Sequence, residues 1–258
     1  MVVRLLNRAK GSVVRVLNRA RYRFSPTDLG ADLLAWWDAE QPATITGGGA
    51  VSSWADVVAG YTATQAVGGS QPAYSATSFN GSRGGITFDG TADELTCLSA
   101  GLLAQLGGAT SYEMWAAVDQ TALVADTGIR TVISVGASNA TTRRMGRSVV
   151  TGANRAFTYT ADGVGSASAV NPTINFSGRH VVRSQLTATA TMTEVDSVAM
   201  TPVAVVPATV ATRVRLGAAA NITATLFWRG VINTVLITRP LSTAQKNQLN
   251  AYLGIRTF

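Results

Sequence analysis

The chain's 258 residues are 47% hydrophobic and 14% charged, with 25 Gly and five Trp, which provides apolar material for one large core and excludes an intrinsically disordered chain. Its one cysteine, Cys97, excludes an internal disulfide framework and a cysteine-based zinc site. The net charge of +7 is carried by Arg4, Arg8, Lys10, Arg15, Arg19, Arg21 and Arg23, so the rest of the chain is neutral and is not a nucleic-acid-binding body by charge.

Residues 1–23 read as one element. The run Val2-Val3-Arg4-Leu5-Leu6-Asn7-Arg8-Ala9 returns as Val13-Val14-Arg15-Val16-Leu17-Asn18-Arg19-Ala20 after eleven residues, close to three helical turns. At helical spacing Leu5, Leu6, Val13, Val16 and Leu17 share an apolar face, and Arg4, Arg8, Arg15 and Arg19 form a basic stripe opposite. An isolated helix of this length is marginal in water, so the apolar face needs a partner. That partner is the chain's own body or sister copies, a membrane surface, or another protein of an assembly. The segregation of charge favours the assembly, and these nine residues form the expected anchor. No stretch approaches the ~20 apolar residues of a membrane span. The recurring arginines also interrupt any apolar core of a secretory signal, so the segment is expected to stay on the mature protein.

From Phe24 onward Gly, Thr, Ser, Ala and Val dominate, which marks a second unit over residues 24–258. A short turn is expected near 28–34. Short β-rich runs follow at 33–38, 52–56, 85–89, 111–118, 130–135, 147–150, 156–159, 179–185, 189–195, 213–218 and 227–238, separated by Gly, Asn and Ser clusters. A closing helix is expected from 242 to about 253, with Ser242 as N-cap and Leu249, Tyr252 and Leu253 on its apolar face. Many short strands without crossover helices predict an all-β antiparallel sandwich or jelly roll. Trp37, Trp54, Trp115 and Trp228 fall in or beside these strands, where each is expected to bury its ring between the sheets; the alternative is a platform for sugars.

The body resembles the concanavalin A-like (laminin G-like) domains common in bacteriophage virion proteins and secreted bacterial proteins. The residues that carry the resemblance are Leu34-Ala35-Trp36-Trp37-Asp38-Ala39, Val51-Ser52-Ser53-Trp54-Ala55-Asp56, Gln71-Pro72-Ala73-Tyr74 and Ile86-Thr87-Phe88-Asp89-Gly90 through Leu95. Toward the end, Trp228-Arg229-Gly230-Val231-Ile232 and Arg239-Pro240-Leu241-Ser242 resemble the closing strand and helix of such domains. Independently of any family, Phe88-Asp89-Gly90 reads as an inward aromatic followed by a turn, because Gly admits positive φ.

The carboxylates and the single histidine are the side chains that could carry acid–base chemistry. Related folds include glycoside hydrolases, which need two carboxylates about 5–9.5 Å apart. Strand alternation would place Glu194 and Asp196 on one face, resembling the first part of the Glu-x-Asp-x-x-Glu strand of one glucanase family. Ala199 stands where the second glutamate belongs, so no catalytic residue is assigned and the chain is expected not to be an enzyme. His180 reads as a structural side chain of its strand. No cofactor is expected; Asp89, Asp93 and Glu94 leave a calcium site open. Arg143-Arg144-Met145-Gly146-Arg147 reads as a basic loop able to meet an acidic polysaccharide.

The resemblance and the tail together imply a phage-like virion structural protein, a head or tail appendage assembled in the host cytoplasm. Its expected partners are other virion proteins, sister copies in a homo-oligomer and host-surface polysaccharide. A free carbohydrate-binding lectin is the alternative, with a glycoside hydrolase of the same fold behind it.

Overall fold

The computed structural model describes residues 24–107, 111–120, 128–138, 141–150, 153–162, 166–171, 174–204, 211–220 and 226–257. The helix expected over residues 1–23, and with it the anchor from Arg4 to Arg19, lies outside the described residues.

The strands in the first part of the chain are β1 (Leu33–Asp38), β2 (Ile45–Thr46), β3 (Ser53–Ala55), β4 (Thr62–Thr64), β5 (Ala73–Phe79), β6 (Arg83–Asp89) and β7 (Leu95–Cys97). A helix α1 (Ala100–Gly107) precedes β8 (Tyr112–Asp119), β9 (Arg130–Ser138), β10 (Thr141–Val150), β11 (Ala153–Asp162) and β12 (Ser166–Val170). Then come β13 (Arg179–Leu186), β14 (Ala190–Val195), β15 (Val198–Ala199), β16 (Val203–Ala204), β17 (Arg213–Leu216), β18 (Arg229–Thr238) and the closing helix α2 (Thr243–Thr257). The strands form two antiparallel sheets, giving a concanavalin A-like β-sandwich. Sheet A runs β15-β14-β13-β8-β18-β6-β5, with β1 also on β18 and β16 on β14; sheet B runs β12-β11-β10-β9-β17-β7-β4-β3-β2.

Register explains how sheet B divides its two faces. Ile45, Trp54, Ala63, Cys97, Val214, Val135, Arg143, Thr160 and Ala167 stand directly opposite one another from strand to strand across the whole sheet. From Trp54 to Val135 this row is apolar and belongs to the core between the sheets. Because side chains alternate along a strand, the row one residue along must face away from sheet A. Strand β17 shows the rule in four residues: Val214 and Leu216 are buried, and Arg213 and Arg215 are half-buried.

Sheet A is covered on both sides. Its inner face contributes Ile86, Phe88, Tyr112, Val182, Val235 and Ile237 to the central core. On its outer face α2 packs against β8 and β13. There Leu249 and Leu253 join Leu29, Leu33, Trp36, Val181 and Leu236 in a second apolar cluster. Trp37, Trp54 and Trp228 lie between the sheets as expected. Trp115 does not: it is fully buried, but in the cluster beneath α2. The whole of β8 up to Val118 is buried on both faces, so alternation fixes the parity of Trp115 and not which cover it meets.

Helix α2 starts where Ser242 was expected to cap it. Ser242 Oγ accepts from Gln245 N (3.3 Å), and Gln245 Oε1 accepts from Ser242 N (2.9 Å), a reciprocal capping box. The helix runs on to Thr257, beyond the expected end at about 253, because its last turn is held by polar bonds. Arg256 donates through both terminal nitrogens to Asp38 of β1 (2.5 and 3.1 Å), and also to Asn233 Oδ1 and the Tyr252 hydroxyl. The Asp38 carboxylate beside it holds the Arg256 guanidinium above its ordinary pKa, against the burial that pushes it down.

Candidate functional site

The basic run expected as a loop is strand β10. Arginines occur on both of its faces, which hides the apolar alternation that marks other strands. Arg143 lies in the inward row, its guanidinium 4.8 Å from the centre of the Tyr112 ring. Arg144, one residue on, faces away from sheet A.

Around Arg144 the outward row of sheet B is polar from edge to edge. Thr46, Ser53, Thr64, Thr96, Arg215, Ser134, Arg144, Tyr159 and Ser168 stand directly opposite one another, one residue from each of the nine strands. A second outward row two residues along places Arg213, Gly136, Thr142 and Ala161 beside it. At Gly136 a Cβ would collide with the Thr141 carbonyl and with Thr142 Cα, so the backbone of β10 fills the place of a side chain there. Ala218–Ala220 cross the same face: Ser134 Oγ donates to the Ala218 carbonyl (2.8 Å), and Arg215 Nη1 donates to the Ala219 carbonyl (3.2 Å).

The charges here are uneven. Arg215 pairs with Glu94 at 3.1 Å. Arg144 has no ion pair among the described residues; it lies 4.2 Å from the Tyr159 ring centre and 6.0 Å from that of Phe157. Only 7% of Arg144 is exposed, yet its Nε and Nη1 are buried without a hydrogen-bond partner. Arg213 Nε is likewise buried without one. Burial pushes the Arg144 guanidinium below its ordinary pKa, with Tyr159 pushing the other way. The middle of this face is thus enclosed by the chain itself, with Ser134, Thr142 and Arg144 buried beneath Ala218–Ala220, whereas toward its two edges Thr46, Thr64 and Ser168 are exposed and Ser53, Thr96, Arg215 and Tyr159 half-buried. Sequence reasoning missed Tyr159, Arg213 and Arg215; the alternation Arg213-Val214-Arg215-Leu216 was the available signal.

The other candidates are bound up within the fold. Glu194 accepts from Arg183 Nη2 (2.6 Å) and Asn250 Nδ2 (3.0 Å). Asp196 is not its partner on one face, because β14 ends at Val195 and Asp196 turns the chain at φ 48°. Instead Asp196 meets His180 Nδ1 at 2.7 Å and accepts from Val181 N at 2.9 Å. His180 also contacts the Ser177 carbonyl (3.1 Å) and stacks on Phe176, the structural place expected for it. Beneath α2, Arg183 joins Glu194 to the fully buried Glu113 (3.3 Å), which also meets Lys246 (3.2 Å). Burial pushes the Glu113 carboxyl up; Arg183 and Lys246 pull it down without cancelling the shift.

At the site left open for calcium, the carboxylates brace their own loop. Asp89 Oδ1 accepts from Thr91 N (2.7 Å), Ala92 N (3.0 Å) and Asp93 N (3.2 Å), its Oδ2 accepts from the Thr91 hydroxyl, and Asp93 accepts from Asp89 N (2.9 Å). Burial raises the Asp89 pKa, but these hydrogen bonds outweigh it and lower the value to about 2. Gly90 has φ 81°, as its place in the turn requires. Glu94 points to Arg215 rather than into the loop. Among the described residues no group of three or more His, Cys, Asp or Glu is placed to hold a metal.

No protein-family model and no curated protein matches the sequence. Solved structures do match the fold. A Trypanosoma rangeli sialidase in complex with a difluorinated nononic acid superposes with TM-score 0.59 at 14% identity, over 88% of this chain and 33% of the sialidase. An arabinofuranosidase complexed with arabinofuranosyl-α-1,2-xylobiose gives TM-score 0.64 at 12% identity, over 91% of this chain and 65% of that one. Domain 4 of AbnA, a GH43 extracellular arabinanase from Geobacillus stearothermophilus in complex with arabinotriose, gives 0.56 at 12% identity, over 88% of this chain and 99% of that one. The present chain thus spans about a third of the sialidase and matches the arabinanase domain end to end.

These neighbours are carbohydrate-active β-sandwich proteins, and at such identities the likeness is one of fold. They overturn the expectation that the chain is not an enzyme. That expectation rested on one failed carboxylate spacing on one strand, whereas the same sandwich occurs within glycosidase chains. The virion resemblance has no counterpart among these three structures.

Proposed function

We propose that the chain is a carbohydrate-recognising β-sandwich that holds its glycan on the outer face of sheet B. The observation that carries this is the polar row across the nine strands, in which Thr46, Thr64 and Ser168 are exposed and Ser53, Thr96, Arg215 and Tyr159 half-buried. A sheet face lined by hydroxyls and guanidinium groups offers many hydrogen-bond partners at fixed spacing, about 4.8 Å from strand to strand, which suits a chain of sugar rings. Support comes from neighbours of the same fold whose structures hold oligosaccharides.

The test is binding to a glycan array by the whole protein and by Arg215→Ala and Thr64→Asp variants, with release of reducing ends measured in parallel on every glycan retained. Retention by the wild type that both variants lose supports the reading. Retention unaffected by either variant would place the glycan elsewhere.

For residues 1–23 we keep the finer reading of an anchor to a larger particle, such as a phage-like virion. Its support is the confinement of the net charge and of an amphipathic repeat to this segment. If the apolar face holds the anchor, Leu5→Asp or Leu17→Asp detaches the protein at any ionic strength, because a charge would be buried unpaired. Release of the unaltered protein by salt alone would assign the attachment to the arginine stripe instead.

A further inference from the structure

We propose that Asn80 is a site of spontaneous covalent modification, and that its conversion releases the C-terminal end of α2 from the turn between β5 and β6. Asn80-Gly81 is the one Asn-Gly step in the sequence. Gly81 has no side chain to shield its backbone nitrogen; it is exposed, and a Cβ built on it would meet nothing within 4 Å. Its nitrogen can therefore attack Asn80 Cγ. A C–N bond forms between them, and Asn80 Nδ2 leaves as ammonia with the proton of the Gly81 N–H. Water then opens the five-membered imide at either carbonyl, giving aspartate or isoaspartate. The Ser82 hydroxyl, which donates to Asn80 Oδ1 (2.8 Å), draws electron density from the carbon under attack.

The fold sets both the rate and the consequence. Asn80 and Gly81 have φ 56° and 75°, the two positive values of a type I′ hairpin turn, and Ser82 N closes the turn on the Phe79 carbonyl (3.4 Å). In such a turn the Gly81 nitrogen lies across the Asn80 Cα–C bond from Cβ, so the imide closes only when the turn opens. Opening is local, because β5 is the last strand of sheet A on its side and its register with β6 is broken between Ser75 and Phe79. The same turn holds α2. Asn80 Nδ2 donates to the Arg256 carbonyl (3.3 Å), and Arg83 Nη2 donates to the Ile255 carbonyl (3.4 Å). These carbonyls belong to the last turn of the helix, where the backbone has no acceptor-filling partner within the helix itself. Deamidation removes the first donor and puts a carboxylate at the negative end of the helix dipole. Isoaspartate also lengthens the backbone of the turn by one methylene.

The experiment holds the whole protein in mildly alkaline buffer, folded and in guanidinium, and follows the conversion of each asparagine by peptide mapping, with an isoaspartyl methyltransferase marking the isoaspartate. Asn80 should convert before the other asparagines, at least about tenfold faster in the unfolded chain than in the folded one. Hydrogen exchange of the amides in the last turn of α2 should be at least about tenfold faster in the aged protein and in Asn80→Asp, while exchange in β8 stays as in the wild type. It should also be faster in Asn80→Gly, which keeps a hairpin turn, loses the donor and cannot form the imide. Conversion of Asn80 no earlier than that of the other asparagines, or none at all, would overturn the modification site. Equal rates in the folded and unfolded chain would overturn the gating by the turn. Unaltered exchange at the end of α2 in both variants would overturn the tie between turn and helix, and a rise in Asn80→Asp alone would overturn the part given to the donor. Faster exchange throughout, β8 included, would overturn a local release.

Discussion

Arg143 and Arg144 are consecutive residues on opposite faces of one strand, each over a tyrosine: Arg143 over Tyr112 between the sheets at 4.8 Å, and Arg144 over Tyr159 on the outside at 4.2 Å. Both are buried, and Arg144 is enclosed with two nitrogens unpartnered and no counter-ion among the described residues, so its charge contributes little to the fold. Arg144→Met is expected to change the unfolding free energy by less than about 1 kcal/mol, or to raise it, since replacing a buried charge that lacks a counter-ion by an apolar side chain of similar size removes a desolvation cost. Urea denaturation of both proteins measures this, and a loss of several kcal/mol would make Arg144 a structural residue.

Arg183 stands at the other extreme. It bridges Glu113 and Glu194 beneath α2, and all three are buried. Arg183→Met strands two carboxylates together and is expected to cost about 3–5 kcal/mol. Glu113→Gln is expected to cost far less, about 1 kcal/mol, because Arg183 keeps Glu194 and the partly exposed Lys246 can turn to water. Equal costs in denaturant unfolding would show that the three residues do not form a linked cluster.

The Asp89 loop gives a signature in acid. The folded carboxyl titrates at about 2, whereas an unfolded aspartate titrates near ~3.9. Its contribution to stability is therefore complete above the unfolded value and is lost as pH falls from about 4 toward 2. Asp89→Asn should flatten the acid limb of the stability curve in that window and leave the curve near neutrality parallel to the wild type. An unchanged acid limb in the variant would assign the acid sensitivity to other groups.

Helix α2 is a cover for sheet A and not an appendage. Leu253 is fully buried against Trp115, Trp36 and their neighbours, so Leu253→Ala is expected to cost about 2–5 kcal/mol by the cavity it leaves. Near-ultraviolet circular dichroism of the tryptophans should change with it. A variant as stable as the wild type would mean that α2 rests on the sheet without packing into it.

Much of the fold was legible because its signals were local. The run at 33–38 coincides with β1, and the Ser242 cap marks the start of α2. Strands β2, β4, β5, β7, β12, β15 and β16 and helix α1 were not foreseen: β2, β15 and β16 have two residues each and β4 and β7 three, β5 and β12 are mostly exposed and show no apolar alternation, and α1 is eight residues long, too short for a periodicity to accumulate. The site was legible only in part. Arg144 was noticed as one of a basic cluster, but its separation from Arg143 depends on strand register, and its neighbours Arg215 and Tyr159 come from segments remote in sequence. The Glu194 and Asp196 pair failed for the opposite reason: alternation was extended one residue past the end of β14.

The pairing of β1 with β18 sets the order in which the molecule can form. Trp36 of β1 donates its indole N–H to the Thr234 hydroxyl, 198 residues away in sequence, and Asp38 waits for Arg256 still further on. During synthesis the two adjacent tryptophans of β1 emerge long before the strand and helix that cover them. Trp37 finds the Tyr61 carbonyl 24 residues on (3.2 Å), but the Trp36 ring lacks Thr234, Leu236 and the cover of α2 until nearly the whole chain has been made. Closure of so long a loop makes completion of sheet A a late and slow event, and the interval before it is when the nascent chain exposes its most aggregation-prone surface.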